Sequence, residues 1–290
     1  MNLSISKSIF CFFQVAMCIL LFKAHARDGN SAAYTRDFSP ANGIETIAAG
    51  GWHTLALKTD STLWAWGRNT NGQLGDGTTN HLIVPKLVMN GVNAVSGGGF
   101  HTLFIRADNT AWATGYNKYG QLGDGTTNDA STPIQVMENV KKVVAGHYHT
   151  LFLKIDNTLW TCGSNEYGQL GDGTTRDIYK PKQVMDNVKA VAMGYHHTLI
   201  LKTDNTLWAC GDNGHGQLGD GTNKSTSKPK PIMSDVKAVA AGHYHTLILK
   251  TDGTVWVCGN NDYGQLGNGT TKNIISPQQI MGDVKAIAAK

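Results

Sequence analysis

Apolar and polar residues along this chain fall into short alternating runs, not into long stripes. Val236-Lys237-Ala238-Val239-Ala240 alternates apolar with other residues, as a short strand requires. Gly242 follows, and His245 to Lys250 reads as a second strand. Leu247 and Leu249 face one way there and Ile248 the other, so both faces of this strand are expected to be buried. Thr251-Asp252-Gly253-Thr254 reads as a hairpin turn, because Asp-Gly tolerates the positive φ of such turns. Asp60-Ser61, Asp108-Asn109, Asp156-Asn157 and Asp204-Asn205 stand at the equivalent place. Val255 to Cys258 makes a third strand. After a loop rich in Gly and Asn from Gly259 to Thr271, Pro277 to Ile280 makes a short fourth, whose proline points to a sheet edge. No segment carries a 3.6-residue apolar period, which excludes a helical repeat.

The same unit recurs with a period of 48. Gly-Gln-Leu-Gly begins at Gly72, Gly120, Gly168, Gly216 and Gly264, and His-Thr-Leu at His53, His101, His149, His197 and His245. No copy carries an insertion. The units run 43–90, 91–138, 139–186, 187–234 and 235–282, with a partial copy at 283–290. Val284 to Ala288 duplicates Ile44 to Ala48 and is expected to be the first strand of a sixth unit. Four short antiparallel strands at such a period predict an all-β fold, a β-propeller of four-stranded blades.

Composition agrees. Among 290 residues, Gly 34 and only 16% charged residues suit short strands and tight turns better than disorder. The first 26 residues differ in kind. Lys7 precedes an apolar run from Ile9 to Phe22, and Ala24-His25-Ala26 supplies small residues for cleavage. Residues 1–26 therefore read as a secretory signal peptide and 27–42 as a linker. The apolar run is short for a bilayer span, so no stable membrane insertion is expected. Cleavage removes Lys7 and Lys23 and no acid, taking the net charge from +4 to +2. A nearly neutral protein has no electrostatic call for nucleic acid. Cys162, Cys210 and Cys258 lie 48 apart, too far for a disulfide between equivalent repeat sites, and read as buried free thiols.

Gly-x-x-His-Thr-Leu (Gly146 to Leu151), followed by Leu-Trp-x-x-Gly-x-Asn-x-x-Gly-Gln-Leu-Gly (Leu159 to Gly171), resembles the regulator of chromosome condensation repeat family, in all five copies. The resemblance implies a propeller. Its founding members have seven blades, exchange guanine nucleotides on a Ran-type small GTPase and bind nucleosomes; many other members are interaction modules. This chain departs from the founders: it carries a signal peptide, no basic arm before the first blade, and no insertion to act as a wedge at a nucleotide site. Five complete units also leave three accounts of ring closure: a five-bladed ring with a redundant strand, a truncated product with an open edge, or assembly with another chain. The last two are preferred, and an open edge would favour self-association.

Agreement between copies marks what a blade needs in order to fold. The ring of histidines His53, His101, His149, His197 and His245 is expected to hydrogen-bond inside each blade and to hold no metal. Gly-Gln-Leu-Gly-Asp-Gly-Thr lacks the Lys of a phosphate loop and the alternate acids of a calcium loop, so it reads as a turn. Trp64, Trp112, Trp160, Trp208 and Trp256 read as inter-blade packing. Disagreement between copies marks surface free to bind. Arg68, Tyr116, Tyr119, Tyr167, His215 and Tyr263 precede Gly-Gln-Leu-Gly and are the candidate partner-binding residues. Trp52, Phe100, Tyr148, His196 and Tyr244, always aromatic, precede His-Thr. No singular catalytic arrangement appears, and no cofactor is implied. The sequence thus predicts a secreted or periplasmic, non-enzymatic scaffold that binds a protein through variable rim loops. The alternatives are a nucleotide exchange factor for a small GTPase and a carbohydrate-binding propeller.

Overall fold

Each 48-residue unit folds into one four-stranded antiparallel sheet with its strands in sequence order. The computed structural model describes residues 43–289; the expected leader (1–26) and linker (27–42) lie outside the described residues. Blade 1 comprises β1 (Ile44–Ala49), β2 (His53–Lys58), β3 (Thr62–Gly67) and β4 (Leu82–Asn90). Blade 2 comprises β5 (Val92–Gly97), β6 (His101–Arg106), β7 (Ala111–Gly115) and β8 (Ala130–Met137). Blade 3 comprises β9 (Val140–Ala145), β10 (His149–Lys154), β11 (Leu159–Gly163) and β12 (Ile178–Met185). Blade 4 comprises β13 (Val188–Met193), β14 (His197–Lys202), β15 (Leu207–Gly211) and β16 (Thr226–Met233). Blade 5 comprises β17 (Val236–Ala241), β18 (His245–Lys250), β19 (Val255–Gly259) and β20 (Ile274–Met281). The first strands of neighbouring blades lie side by side, which places them at the axis and the fourth strands outside. The chain is an all-β propeller.

The hydrophobic cores lie between blades. Leu55, Leu57, Leu63 and Leu74 of blade 1 close on Val92, Phe104 and Trp112 of blade 2. Phe152 and Trp160 of blade 3 enter the blade 2 core in the same way, and Ile248 and Trp256 of blade 5 enter that of blade 4. A strand with Leu247 and Leu249 on one face and Ile248 on the other is therefore one that packs against two neighbours. Deleting a fully buried ring such as Phe152 to Ala would cost about 3–5 kcal/mol. Cys162, Cys210 and Cys258 are free and buried in these interfaces.

The hairpin turns carry the expected positive φ: 62° at Ser61, 62° at Asn109, 68° at Asn157, 65° at Asn205 and 84° at Gly253. The aspartate before each one organises the corner. Thr62 donates its hydroxyl to Asp60 Oδ1 at 2.6 Å, and Trp64 donates its indole N–H to Thr62 Oγ1 at 3.0 Å. The other four blades repeat this chain of bonds.

Three features differ from the sequence expectation. First, the fourth strand is longer. β20 starts at Ile274, pairs Gly259 with Ile274 and Val257 with Gln278, and bulges between them, around Pro277. Proline has no N–H to give a ladder, so it shortened the strand on paper, but an edge strand can bulge past it. Second, each buried histidine bonds across a blade boundary, not within its blade. His53 Nε2 lies 2.9 Å from Thr102 Oγ1, His101 3.0 Å from Thr150, His149 3.5 Å from Thr198 and His197 3.2 Å from Thr246. Gly194, three residues before His197, is required by this ring: a Cβ there would lie 2.1 Å from the imidazole Cε1. Third, residues 284–288 form no ladder. The Val284 amide donates to the Gly253 carbonyl at 3.0 Å, and Val284 and Ile287 pack against the blade 5 core, as a first strand would. No second strand follows among the described residues to pair with it. At the other end Ile44 is 50% exposed, whereas its equivalents Val92, Val140, Val188 and Val236 are fully buried.

Candidate partner-binding rim

Because strands alternate in direction, the turn after each first strand and the long loop after each third strand emerge at the same end of the blade. Both variable sets of the sequence therefore share one face of the propeller. The opposite face carries the Asp-centred hairpins.

The long loop is held from beneath by one buried asparagine. In blade 1, Asn69 Nδ2 donates to Asp76 Oδ1 at 3.1 Å and to the Thr78 carbonyl at 3.0 Å, and its Oδ1 accepts from the Leu74 amide at 2.9 Å. Asp76 in turn accepts from the Thr78 amide and hydroxyl, and Lys86 lies 2.8 Å away. Partial burial works against the charged Asp76 carboxyl, but the bonds from Lys86 and Thr78 prevail and hold it below the usual carboxylate range. In blade 5, Asn268 replaces the aspartate and accepts the same bonds from Asn261 and Thr270. The position needs an acceptor oxygen, which a neutral amide supplies. Leu74, Leu122, Leu170, Leu218 and Leu266 are buried beneath the loops. Among the described residues no cluster of His, Cys, Asp and Glu has the makings of a metal site.

The residues that this frame presents form a continuous aromatic arc across blades 2–5. Tyr116 lies 6.1 Å from Phe100 and 6.2 Å from Tyr119; Tyr119 lies 5.2 Å from Tyr148. Tyr167 lies 4.7 Å from His196, and His215 5.4 Å from Tyr244. The Arg68 guanidinium lies over the Phe100 ring at 5.2 Å, in cation–π geometry. Five of the six sequence-nominated residues thus meet the aromatic position that precedes His-Thr in a neighbouring blade. Tyr263 does not: it is 94% exposed and makes none of the arc's ring contacts, because no further blade follows it among the described residues.

Three members were missed by the sequence reading: His147, Tyr195 and His243. His147 lies 4.3 Å from Tyr148 and 4.5 Å from Tyr195; Tyr195 lies 4.4 Å from His196 and 5.7 Å from His243. They join the blade 3 cluster to those of blades 4 and 5. The signal was available. The residue after the glycine of Gly-x-x-His reads Gly51, Gly99, His147, Tyr195, His243, turning from glycine to aromatic after blade 2. Burial, with smaller contributions from neighbouring histidines, pushes the His147 imidazole below its usual range. His196 is also pushed down by burial, against the pull of Asp212 and Glu166. Burial and neighbouring phenols push Tyr116 and Tyr195 up. At neutral pH these rings are uncharged, with their hydrogen-bonding groups intact.

Comparison with known proteins gives a consistent picture. A family model described as "Regulator of chromosome condensation (RCC1) repeat" matches residues 60–105, 108–153, 156–201, 204–249 and 252–289. A second of the same description matches 44–73, 92–121, 140–169, 188–217 and 236–265. A "Protein RCC2 homolog" of Danio rerio is 53% identical over 36 residues, 12% of this chain and 7% of that protein. "Protein RCC2" of Mus musculus is 40% identical over 47 residues, 16% of this chain and 9% of that protein. The matched stretches thus span less than a tenth of these curated relatives. Human WBSCR16 shares the fold at TM-score 0.77 and 23% identity, over 86% of this chain and 70% of that one. Prp20p of Saccharomyces cerevisiae, a structure titled with its binding to Gsp1p and histones, matches at TM-score 0.71 and 25% identity, over 83% of this chain and 64% of that one. With its repeats matched from residue 44 to residue 289, the chain belongs to the regulator of chromosome condensation (RCC1) repeat family.

Proposed function

We propose that this protein is an exported, non-enzymatic scaffold that binds a protein partner through the aromatic rim. One observation carries the reading: eleven rings drawn from four blades meet in edge-to-face, tilted and stacked contacts on a single side of the propeller. The residues common to all blades are committed to latches, turns and cores. The rim varies between copies, as the outer fourth strands do, but among the described residues the rim alone gathers its aromatic residues into contact. Tyr and Arg on a rigid frame suit an interface, since they supply large contact area at low entropic cost. Export rests on the apolar run Ile9 to Phe22 and the small residues at Ala24 and Ala26.

The test is capture of a partner on immobilised mature protein, with Tyr119→Ala and Tyr167→Ala variants of unchanged thermal midpoint. Loss of capture in both supports the reading; undiminished capture refers binding to another face. A second reading, nucleotide exchange on a small GTPase, draws on the likeness to Prp20p. Release of labelled GDP from a panel of small GTPases separates the two.

A further inference from the structure

Charge is lopsided at the loop positions just ahead of Gly-Gln-Leu-Gly, while further along the same loops both signs occur, with Asp129 in blade 2 and Arg176, Lys224 and Lys272 in blades 3 to 5. Just ahead of the motif, blades 1 and 2 carry Arg68 and Lys118, and blades 3 to 5 carry Glu166, Asp212 and Asp262. The ion pairs of the described residues all join a loop aspartate to a lysine of the fourth strand, and none involves these three acids. Glu166 and Asp212 both lie close enough to His196 to act on its titration. Asp212 accepts hydrogen bonds from Gln217, the Gly214 amide and the Ser225 hydroxyl, all neutral donors, and pairs with no cation among the described residues.

The chain itself shows what such a surface accepts. At the first position of the long loop blade 1 places Arg68, and its guanidinium covers the Phe100 ring of the next blade. Blades 3 and 4 place Ser164 and Asp212 at the equivalent position, one without charge and one of opposite sign. Every other cation–π contact among the described residues belongs to a blade tryptophan and its strand-end lysine or arginine on the opposite face. The rings of Tyr167, Tyr195 and His196 therefore carry no cation, and two carboxylates stand beside them.

We propose that the Tyr167–Tyr195–His196 sector receives an arginine side chain of the protein partner. The guanidinium stacks on the rings and its N–H groups meet Glu166 and Asp212. Arginine is favoured over lysine because a planar, weakly hydrated cation can stack and donate in the same pose. This inference rests on the rim being the binding face and adds what that face recognises.

The probe is an acetylated, amidated peptide of alternating arginine and glycine, with its lysine counterpart as control, titrated into the mature protein and followed by tyrosine ring resonances. Saturable binding is expected, about three- to fivefold tighter for arginine than for lysine. The Glu166→Gln/Asp212→Asn double variant and the Tyr195→Leu variant should each weaken it by a similar factor. Leucine keeps an apolar side chain and removes the ring with its quadrupole, so an unchanged thermal midpoint shows that the loss is one of recognition. Asp108→Asn with Asp156→Asn, on the opposite face, should change nothing. Absence of saturable binding, equal affinity for the lysine peptide, or equal loss in the opposite-face variant each overturns the proposal. If partner capture depends on Tyr119 and Tyr167 while the arginine peptide fails, this inference falls and the rim remains the binding face.

Discussion

His101 and Thr150 belong to different blades, and 3.0 Å separates the imidazole Nε2 of one from the hydroxyl of the other. The hydroxyl proton is already committed, since Thr150 donates it to the Gln121 carbonyl at 2.7 Å. Thr150 must therefore accept, which fixes His101 as the Nε2–H tautomer. The bridge runs from blade 2 to blade 3 and back to blade 2. It explains why His and Thr recur together, one of each building one joint on a loop carbonyl; the Gln121 side chain serves its own loop, accepting from the Tyr119 amide at 3.0 Å.

Acid should weaken these joints. Burial drives the imidazoles of His101, His149 and His197 down to about 3, with smaller contributions from nearby histidines. A folded pKa below the unfolded value means that the unfolded chain binds more protons. Stability is therefore fully present above about pH 6.5 and is lost as pH falls toward 3. Three such groups give a slope of about 4 kcal/mol per pH unit at its steepest. Urea denaturation between pH 6 and 4.5, above most carboxylate titration, should show a steadily falling midpoint. A flat midpoint there would refute the neutral, buried latch.

Breaking one joint should cost far more than breaking its copy at the end of the row. Thr150→Val strands the His101 N–H in a buried interface and leaves the Gln121 carbonyl only the weak Cys162 thiol donor at 3.7 Å, at about 3 kcal/mol. Thr54, the equivalent in blade 1, makes no hydrogen bond to a histidine of another blade among the described residues, and Thr54→Val should stay within about 1 kcal/mol. Paired denaturation curves measure the difference; equal costs would mean that the cross-blade bond contributes nothing.

The same joint shows where sequence reading stops. Hairpin turns, the two-faced second strand and the 48-residue unit were all legible, because each is dictated by local chemistry: Asp252-Gly253 needs positive φ, and Leu247, Ile248 and Leu249 fill two faces. The partner of His101 was not legible. Thr102 and Thr150 are identical letters in identical surroundings, and only the packing of one blade on the next decides between them. At the rim, comparing copies found Tyr116, Tyr119, Tyr167 and His215. It missed His147, Tyr195 and His243, whose position is glycine in blades 1 and 2 and aromatic only from blade 3 on. It also nominated Tyr263, whose ring meets no neighbour because no following blade covers it among the described residues.

Glycine at the joint is a packing requirement that can be tested directly. At Gly194 a Cβ would lie 2.1 Å from the His197 ring and 2.7 Å from the Gly242 carbonyl. Neither can retreat without opening the blade interface, so Gly194→Ala should cost about 3 kcal/mol. Gly282 has no neighbour within 4 Å of a Cβ, and Gly282→Ala should fall within about 0.5 kcal/mol of the parent. Thermal midpoints of the two variants suffice to check this.

The cysteines should be chemically silent in the folded protein. Burial, with a smaller contribution from the nearest loop aspartate, pushes the thiols of Cys210 and Cys258 up to about 12, and Cys162 is raised as well. Thiolate is the reactive form, so none should be alkylated at pH 8 until the blades unfold. Mass spectrometry after iodoacetamide should show Cys162, Cys210 and Cys258 unlabelled in the native state and labelled in denaturant. Native labelling of any one would place it outside the interface.

The loop asparagine and the loop aspartate look alike in sequence but should respond very differently to change. Asn165 uses its whole amide: Nδ2 donates to Asp172 Oδ1 and to the Thr174 and Arg176 carbonyls, and Oδ1 accepts from the Leu170 amide. Asn165→Ala removes all of these from a fully buried position and should cost about 3 kcal/mol or more, with Tyr167 released from its frame. Asp172 needs only to accept, as Asn268 does in blade 5, and its Lys182 partner is half exposed. Asp172→Asn should therefore cost less than about 1 kcal/mol and leave the Tyr167 ring resonance in place. If the loop instead held a cation through Asp172, the order would reverse under calcium: the parent would gain stability on titration and Asp172→Asn would not. Denaturation of both variants with and without calcium decides between an acceptor and a ligand.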